Sequence, residues 1–371
     1  MSTCNGSDVI LTVVIPTYNE ADNIGSMLDS VRRVLESNGI ECFEIIVVDD
    51  DSPDGTHRVA EEKAKEDPRI RVIVRRKERG LAKAVLEGFR NARGEYIAVM
   101  DADFQHPPEL LPVLLRRAIE DRADIVVASR YSKGGGVEGW SRTRLFMSRF
   151  SSILARLLVP RSGRTSDPMS GFFLVRRSAL NLDCLRPRGY KILLEILARS
   201  GDVRVIDVPY VFRRRRSGSS KLGPGVMLDY ILHLMNLSII AKFMLVGGSG
   251  ALVNLGVMKM ALEYGVLVDI SSILGIETSI IWNYILHEKF TFRYNFMGRL
   301  KGSLYRLLGY HYTSIAGSVT TYGVMRILYT LINLNPIIAQ AIGILTGFMV
   351  NYKSSRRLVW RMEVCRGNTR D

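Results

Sequence analysis

Tyr96-Ile97-Ala98-Val99-Met100 runs straight into Asp101-Ala102-Asp103-Phe104-Gln105. The apolar run predicts a buried strand, and it ends in two carboxylates one residue apart. Side chains alternate along a strand, so Asp101 and Asp103 leave it on the same side. Paired carboxylates suit a hard divalent cation, Mg²⁺ or Mn²⁺, which commonly takes substrate phosphates as further ligands. Gln105 adds an amide oxygen to that candidate set. For a lone D-x-D a capping or turn role is the ordinary alternative, so the neighbouring segments decide between the two.

Upstream, the same design repeats. Val9–Ile15 reads as a strand stopped by Pro16, and Ala21–Leu35 carries helical spacing. Glu44–Val48 and Ile70–Val74 read as strands, with Arg58–Lys65 and Leu81–Asn91 as the helices around them. Downstream, Ile125–Ala128 is another short apolar run. Short continuous apolar strands alternating with helices predict an α/β domain whose mostly parallel sheet is covered on both faces. Such sheets bind ligands beyond the carboxyl ends of their strands. The acidic residues fall there: Asp49, Asp50 and Asp51 after one strand, Asp101 and Asp103 after another. Asp51 and Asp54, in the Ser-Pro-Asp-Gly run, read as turn and helix-capping residues.

Composition says that this domain is not the whole chain. The 371 residues carry 51 Lys+Arg against 37 Asp+Glu, a formal charge of +14. Mean hydropathy is nevertheless +0.08, which points to a charged part joined to a very apolar one. A hydrophobic content of 47% excludes disorder. Cys4, Cys42, Cys184 and Cys365 are scattered without metal-ligand spacing and read as reduced thiols. The opening MSTCNGSDV has no basic-then-apolar signal region, so the N-terminal part is expected in the cytosol.

The apolar part begins near residue 241. Charge-free runs at 243–258 and 327–352 and an internal repeat predict four spans, about 241–263, 268–288, 310–333 and 336–356, as two tandem hairpins. The repeat aligns Asn283–Phe292 with Asn351–Trp360, and VGGS at 246–249 with IAGS at 315–318. Basic residues crowd the 287–309 loop and the tail after 352, whereas the other loops hold only Glu263 and Asp269. By the positive-inside rule both termini are cytosolic. Lys259, Glu277 and Arg326 interrupt the spans and are expected to pair within the bundle or to snorkel.

Four segments in order, VVIPTYNE (13–20), VVDDDSPDGT (47–56), Arg79-Gly80-Leu81 and Asp101-Ala102-Asp103, resemble family 2 glycosyltransferases of the GT-A fold. The resemblance covers residue 9 to about 225. It implies a sugar-nucleotide donor, with Pro16, Tyr18, Glu20, Asp49, Asp50, Ala102, Asp103, Gln105 and Arg213 at the nucleotide-sugar pocket and Asp101, Asp103 and Gln105 holding the metal. Further motifs narrow it. Arg130-Tyr131, GGGVEGW (134–140), DPMSGF (167–172), GYKILLEIL (189–197) and Arg213 through Ser219-Ser220-Lys221-Leu222 look like dolichol-phosphate mannose synthases. Residues from 238 onward resemble the GtrA-type four-helix membrane module. The implied reaction is inverting transfer of mannose from GDP-mannose to dolichyl or another polyprenyl phosphate.

The acceptor nucleophile would be a phosphate oxygen, already anionic at neutral pH, so positioning matters more than a general base. His106 accordingly reads as structural. Two phosphorylated substrates call for cations, and Arg suits bidentate phosphate contact. The candidates are Arg130, Arg144, Arg213, Arg215 and Lys221, with Ser148 beside the acceptor phosphate; Arg130, Arg213 and Lys221 join Asp101 and Asp103 as the catalytic set. For 213–216 a solvated basic face at the membrane is the alternative.

Residues 141–159 form a basic amphipathic pattern, with Phe146, Phe150, Ile153, Leu154, Leu157 and Leu158 on one face. Such a helix can lie in a membrane interface; packing on the domain core is the alternative. The chain is thus expected to divide into a cytosolic domain (1–225), an interface helix or linker (226–240) and a membrane domain (241–371). A UDP-glucose-dependent glucosyltransferase and a lipid-linked-sugar flippase with an accessory soluble domain are the competing readings. A nucleic-acid binder would fit +14, but no binding motif appears and the basic residues concentrate beside apolar spans.

Overall fold

The computed structural model describes residues 9–77, 79–186, 189–214, 224–291 and 302–358. It divides into two compact units at Leu237/Ser238. The helix expected over 226–240 is present as Pro224–Leu237, at the end of the N-terminal unit, and 238–240 open the second unit.

In the N-terminal unit the elements are β1 (Leu11–Thr17), α1 (Ala21–Ser37), β2 (Phe43–Asp49), α2 (Thr56–Glu66), β3 (Ile70–Val74), α3 (Leu81–Asn91), β4 (Tyr96–Val99), α4 (Leu111–Glu120), β5 (Ile125–Ser129), β6 (Gly136–Val137), α5 (Arg142–Leu158), β7 (Phe173–Arg176), α6 (Ile192–Arg199), β8 (Val205–Pro209), β9 (Val211–Phe212) and α7 (Pro224–Leu237). Seven strands form one sheet in the order β3-β2-β1-β4-β7-β5-β8; β6 and β9 pair separately. All pairings in the large sheet are parallel except those of β7. Alternate residues serve opposite faces. Val13, Ile15, Ile45 and Val47 pack with α1 and α4, whereas Val14, Ile46, Val48 and Val99 pack with α3 and α6. Two-sided burial is why these strands read as unbroken apolar runs.

Pro16 does not stop β1, as the sequence suggested. It is buried in the strand and stands opposite Val48. The last rung of β4 against β1 is Val14↔Val99, so beyond it β1 runs with β2 alone and Pro16 faces no ladder on the β4 side, a position a strand tolerates in proline. Pro16 is therefore part of the sheet, at the carboxyl end of β1. Cys42 and Cys184 each take part in a disulfide, which corrects the reading of reduced thiols; Cys4 and Cys365 lie outside the described residues.

The C-terminal unit holds α8 (Ile239–Glu263), α9 (Val268–Leu286), α10 (Gly302–Ile332) and α11 (Pro336–Leu358). Two segments, Ile240–Glu263 and Leu307–Ile332, are long and apolar enough to cross a membrane by length and composition; Pro336–Phe348 is a shorter apolar helix. The hairpins are built alike. A Cβ on Gly275 of α9 would sit 2.7 Å from the Asn254 carbonyl oxygen of α8, and a Cβ on Gly343 of α11 would sit 2.4 Å from that of Thr321 of α10. Small residues permit such close helix approach. These equivalent seats set Asn254 against Thr321, which moves the first-helix alignment two residues from the VGGS/IAGS match. The charged residues do not pair with one another. Lys259 pairs with Glu263, Glu277 with His311, and Arg326 with both oxygens of Asp269.

Candidate active site

Because β7 runs antiparallel to β4 with Val99 opposite Phe173, the loop before β7 returns to the place where β4 ends. Asp167-Pro168-Met169-Ser170-Gly171 therefore lies against Asp101. A Cβ on Gly171 would sit 3.2 Å from the His106 ring and 3.7 Å from Asp101 Oδ2. The backbone N–H of Asp101 donates to His106 Nδ1 at 2.9 Å, which fixes the turn after β4. His106 is buried and stacks on Phe172 at 5.2 Å. Burial pulls its pKa down to about 4, against the opposing charge of Asp103, so it is a neutral structural ring at physiological pH.

The Asp101 side chain keeps 35% exposure. Asp103 is buried, and its Oδ1 accepts the Gln105 N–H. Gln105 Nε2 donates to the Arg213 carbonyl at 3.2 Å and Arg213 N–H to the Gln105 carbonyl, so only Gln105 Oε1 could serve a metal. These hard oxygen donors fit a divalent cation. The neighbouring imidazole is neutral and adds no competing charge. Among the described residues no cluster of three or more His, Cys, Asp or Glu forms a closed cage, so a cation here would complete its shell from substrate and water. Ala102 is buried in the core and offers no side chain to a pocket.

Asp49 is fully buried, and its oxygens accept from the Thr17 and Ser52 hydroxyls and the Ser52 N–H. Asp50 takes Arg75 on one oxygen and the Gly80 N–H on the other, both at 2.6 Å. Both were expected to line the nucleotide pocket. Their hydrogen bonds also make them braces: Asp49 folds the 49–52 turn and Asp50 ties down the strap between β3 and α3. Tyr18 and Glu20 sit on the rim. Arg79 donates to the Tyr18 hydroxyl at 3.2 Å and lies over its ring, and Glu20 Oε2 accepts from Asn23. Asp54 accepts from Thr56 and from the Ala21 N–H, as its capping reading required.

On the other side of the D-x-D turn, Arg130 is buried in a bidentate pair with Asp167, at 2.7 and 2.8 Å. Burial opposes its charge, but the adjacent carboxylate outweighs burial and holds the guanidinium charged. The expected acceptor-phosphate ligand thus already has an internal partner. Its ion lies 5.5 Å from the Trp140 ring centre, with Arg144 at 4.4 Å from the same ring. The Tyr131 hydroxyl donates to Ser148 at 2.6 Å. Arg130, Arg144 and Ser148 are therefore gathered around two aromatic rings, as separate sequence motifs could not reveal. Arg213 lies half-exposed beside Glu109, at 3.5 Å. Arg215 and Lys221 lie outside the described residues.

Lys191 belongs to the GYKILLEIL run (189–197). Its ammonium donates to the Met169 carbonyl at 2.9 Å. Burial and the nearby Arg130 pull its pKa down to about 8, against the carboxylates of Asp167 and Asp101. Only the antiparallel return of β7 brings this residue to the D-x-D turn, which sequence spacing does not encode.

The family described as Glycosyl transferase family 2 matches residues 12–182, and the GtrA/DPMS transmembrane domain matches residues 242–360. A dolichol-phosphate mannosyltransferase of Pyrococcus furiosus is 38% identical over 94% of this chain and 99% of its own length. The chain belongs to the dolichol-phosphate mannosyltransferase family. The dolichol-phosphate mannosyltransferase of Saccharomyces cerevisiae is 36% identical over 61% of this chain and 86% of its own length. Among solved structures, glucosyl-3-phosphoglycerate synthase from Mycobacterium tuberculosis is 18% identical, with a TM-score of 0.48, over 64% of this chain and 85% of that one. The chain is a glycosyltransferase and a membrane protein of the GT-A plus GtrA organisation.

Proposed function

We propose that the enzyme transfers mannose from GDP-mannose to the phosphate of dolichol or a related polyprenol, with inversion at the anomeric carbon. The observation that carries this reading is the end-to-end likeness to the Pyrococcus furiosus enzyme, which spans both units. The site geometry agrees with it. Tyr18, Glu20 and Arg79 would receive the nucleotide at the rim that Asp49 and Asp50 brace. Arg144 and Ser148 would hold the acceptor phosphate, with Arg130 positioned by Asp167 and Arg213 approaching from the Gln105 side. An Mg²⁺ or Mn²⁺ ion on Asp101 and Asp103 would offset the charge that develops on the diphosphate leaving group. The acceptor oxygen needs no proton removed, which suits a site whose histidine at the D-x-D turn, His106, is buried and neutral.

We place this chemistry at the cytosolic membrane face. Phe146, Met147, Phe150, Ile153 and Leu157 of α5 are exposed between 50% and 70%, although Ala155 and Leu158 of the same helix pack on Met169, Leu194 and Tyr230. An exposed apolar stripe on a basic helix suits an interfacial position, and its other face is core, so both sequence readings of this helix contribute. The four-span topology with cytosolic termini belongs to the same proposal and rests on loop charge.

The test is a donor screen. Purified full-length protein, a polyprenyl phosphate and either Mg²⁺ or Mn²⁺ are offered GDP-mannose or UDP-glucose. Lipid-linked mannose from GDP-mannose is expected. Transfer from UDP-glucose alone would overturn the reading, and transfer from neither donor would favour a module that only moves lipid-linked sugar.

A further inference from the structure

The C-terminal unit holds a half-open cavity of about 70 Å³ that all four helices line. The lining follows the duplicated hairpins. Gly247, Gly250, Ala251 and Asn254 of α8 recur as Ser314, Gly317, Ser318 and Thr321 of α10, 67 positions later. Ile276, Ser279 and Ile280 of α9 recur as Ile344, Gly347 and Phe348 of α11, 68 positions later. Each stripe has helical spacing and falls near the middle of its helix, so the cavity lies on the axis that relates the two hairpins.

Its walls are polar in one particular sense. Asn283 Oδ1 is buried and has no hydrogen-bond partner among the described residues. The missing side chain of Gly250 makes room for it, since a Cβ there would sit 2.1 Å from that oxygen. The Ser279 hydroxyl donates to the Ile276 carbonyl and the Thr321 hydroxyl to the Gly317 carbonyl. Each has spent its proton and keeps lone pairs. The lining therefore carries one unmet acceptor, Asn283 Oδ1, beside hydroxyl oxygens with free lone pairs. A buried amide oxygen left without a donor is costly in an apolar medium. No acidic residue lines the cavity, so a cation would carry an uncompensated charge into the middle of the bundle.

We propose that this chamber is an internal hydration site, in which ordered waters donate to Asn283 Oδ1 and to the Ser279 and Thr321 oxygens. A cavity of this size holds several waters. The axis joining the hairpins is then wet and not a dry seam.

The test uses the full-length protein in nanodiscs, briefly irradiated to generate hydroxyl radicals from bound water and analysed by peptide mass spectrometry. Ile280 and Phe348, which line the chamber, should oxidise, relative to each side chain's intrinsic reactivity with hydroxyl radical, at least fivefold faster than Leu252 and Leu345, which are 75% and 71% exposed on the outer surface of the unit and would meet acyl chains. Equal rates would mean a dry cavity and overturn the proposal. Asn283→Leu fills the space and removes the orphan oxygen, so labelling at Phe348 should fall to the Leu345 level with helical content unchanged; persistent labelling would show that the water is not held there. Should that variant fail to fold, Thr321→Val makes the same comparison, with a loss of at least half the Phe348 labelling expected and no change counting against the site. Labelling should be equal in sodium and choline buffers; suppression by sodium would replace water with a cation and overturn the assignment. None of these outcomes depends on sugar transfer.

Discussion

His106 holds the backbone of Asp101: its Nδ1 accepts the Asp101 N–H at 2.9 Å from a ring that is 1% exposed. The imidazole must stay neutral to accept there. Its folded pKa of about 4 lies below the ordinary 6.5, so the unfolded chain binds the extra proton first as pH falls. Stability is complete above about 6.5 and is lost as pH falls toward 4, by about 3 kcal/mol for this group alone. Metal-free His106→Phe protein should be less stable than wild type at pH 7.5, and the gap should narrow steadily toward pH 4.5 in thermal melts. A constant gap would refute the neutral-ring assignment.

Asp101→Asn should lower mannosyl transfer at least ~100-fold while leaving the melting temperature nearly unchanged, because this carboxylate is part-exposed. Mn²⁺ binding followed by electron paramagnetic resonance should weaken in parallel. Near-normal transfer in this variant or in Asp103→Ala would remove the metal assignment.

Asp167→Ala leaves the buried Arg130 guanidinium without its partner, and removing one member of such a pair costs about 3–5 kcal/mol. Arg213→Ala, at a half-exposed ion pair, should cost under about 1 kcal/mol. Denaturant melts will separate the two. In a double-mutant cycle, Arg130→Leu with Asp167→Leu should be less damaging than the sum of the single changes.

Gly343→Ala should lower the melting temperature in detergent by several degrees, since its Cβ meets the Thr321 carbonyl. Gly323→Ala on α10, where a Cβ meets nothing within 4 Å, should not. Equal effects would mean that the hairpin seat is not tight.

Replacing Phe146 and Phe150 together by Ser should raise the KM for polyprenyl phosphate several-fold while leaving the KM for GDP-mannose and the melting temperature in place. An unchanged acceptor KM would separate α5 from the membrane.

Much of the fold was legible because burial on both faces leaves a strong mark. Ile70–Val74 and Leu81–Asn91 fall where periodicity puts them. The D-x-D turn was legible for the same reason, as carboxylates ending an apolar strand. Two things were not. The reach of β1 through Pro16 depends on β4 ending early, a property of a strand more than 80 residues away. The role of the braces was hidden too: Asp49, Asp50 and Asp101 are the same residue type at equivalent strand ends, and only burial separates the first two from the part-exposed third. Arg130 misled for a related reason, since its carboxylate partner reaches it through the antiparallel return of β7.

The two glycine seats also order events in time. Asn254 meets Gly275, and Thr321 meets Gly343, each within one helical hairpin and across a short loop. The hydrogen bonds from Gln340 to Asn254 and from Ser272 to Gln340 join different hairpins. Contacts between neighbours in sequence form early and at low entropic cost. Each hairpin can therefore close as it emerges from synthesis, whereas the bonds across the axis must wait until α11 exists. The bundle is committed only by its last helix, so a chain cut short before residue 336 would leave the first hairpin's polar groups unmatched and open to quality control.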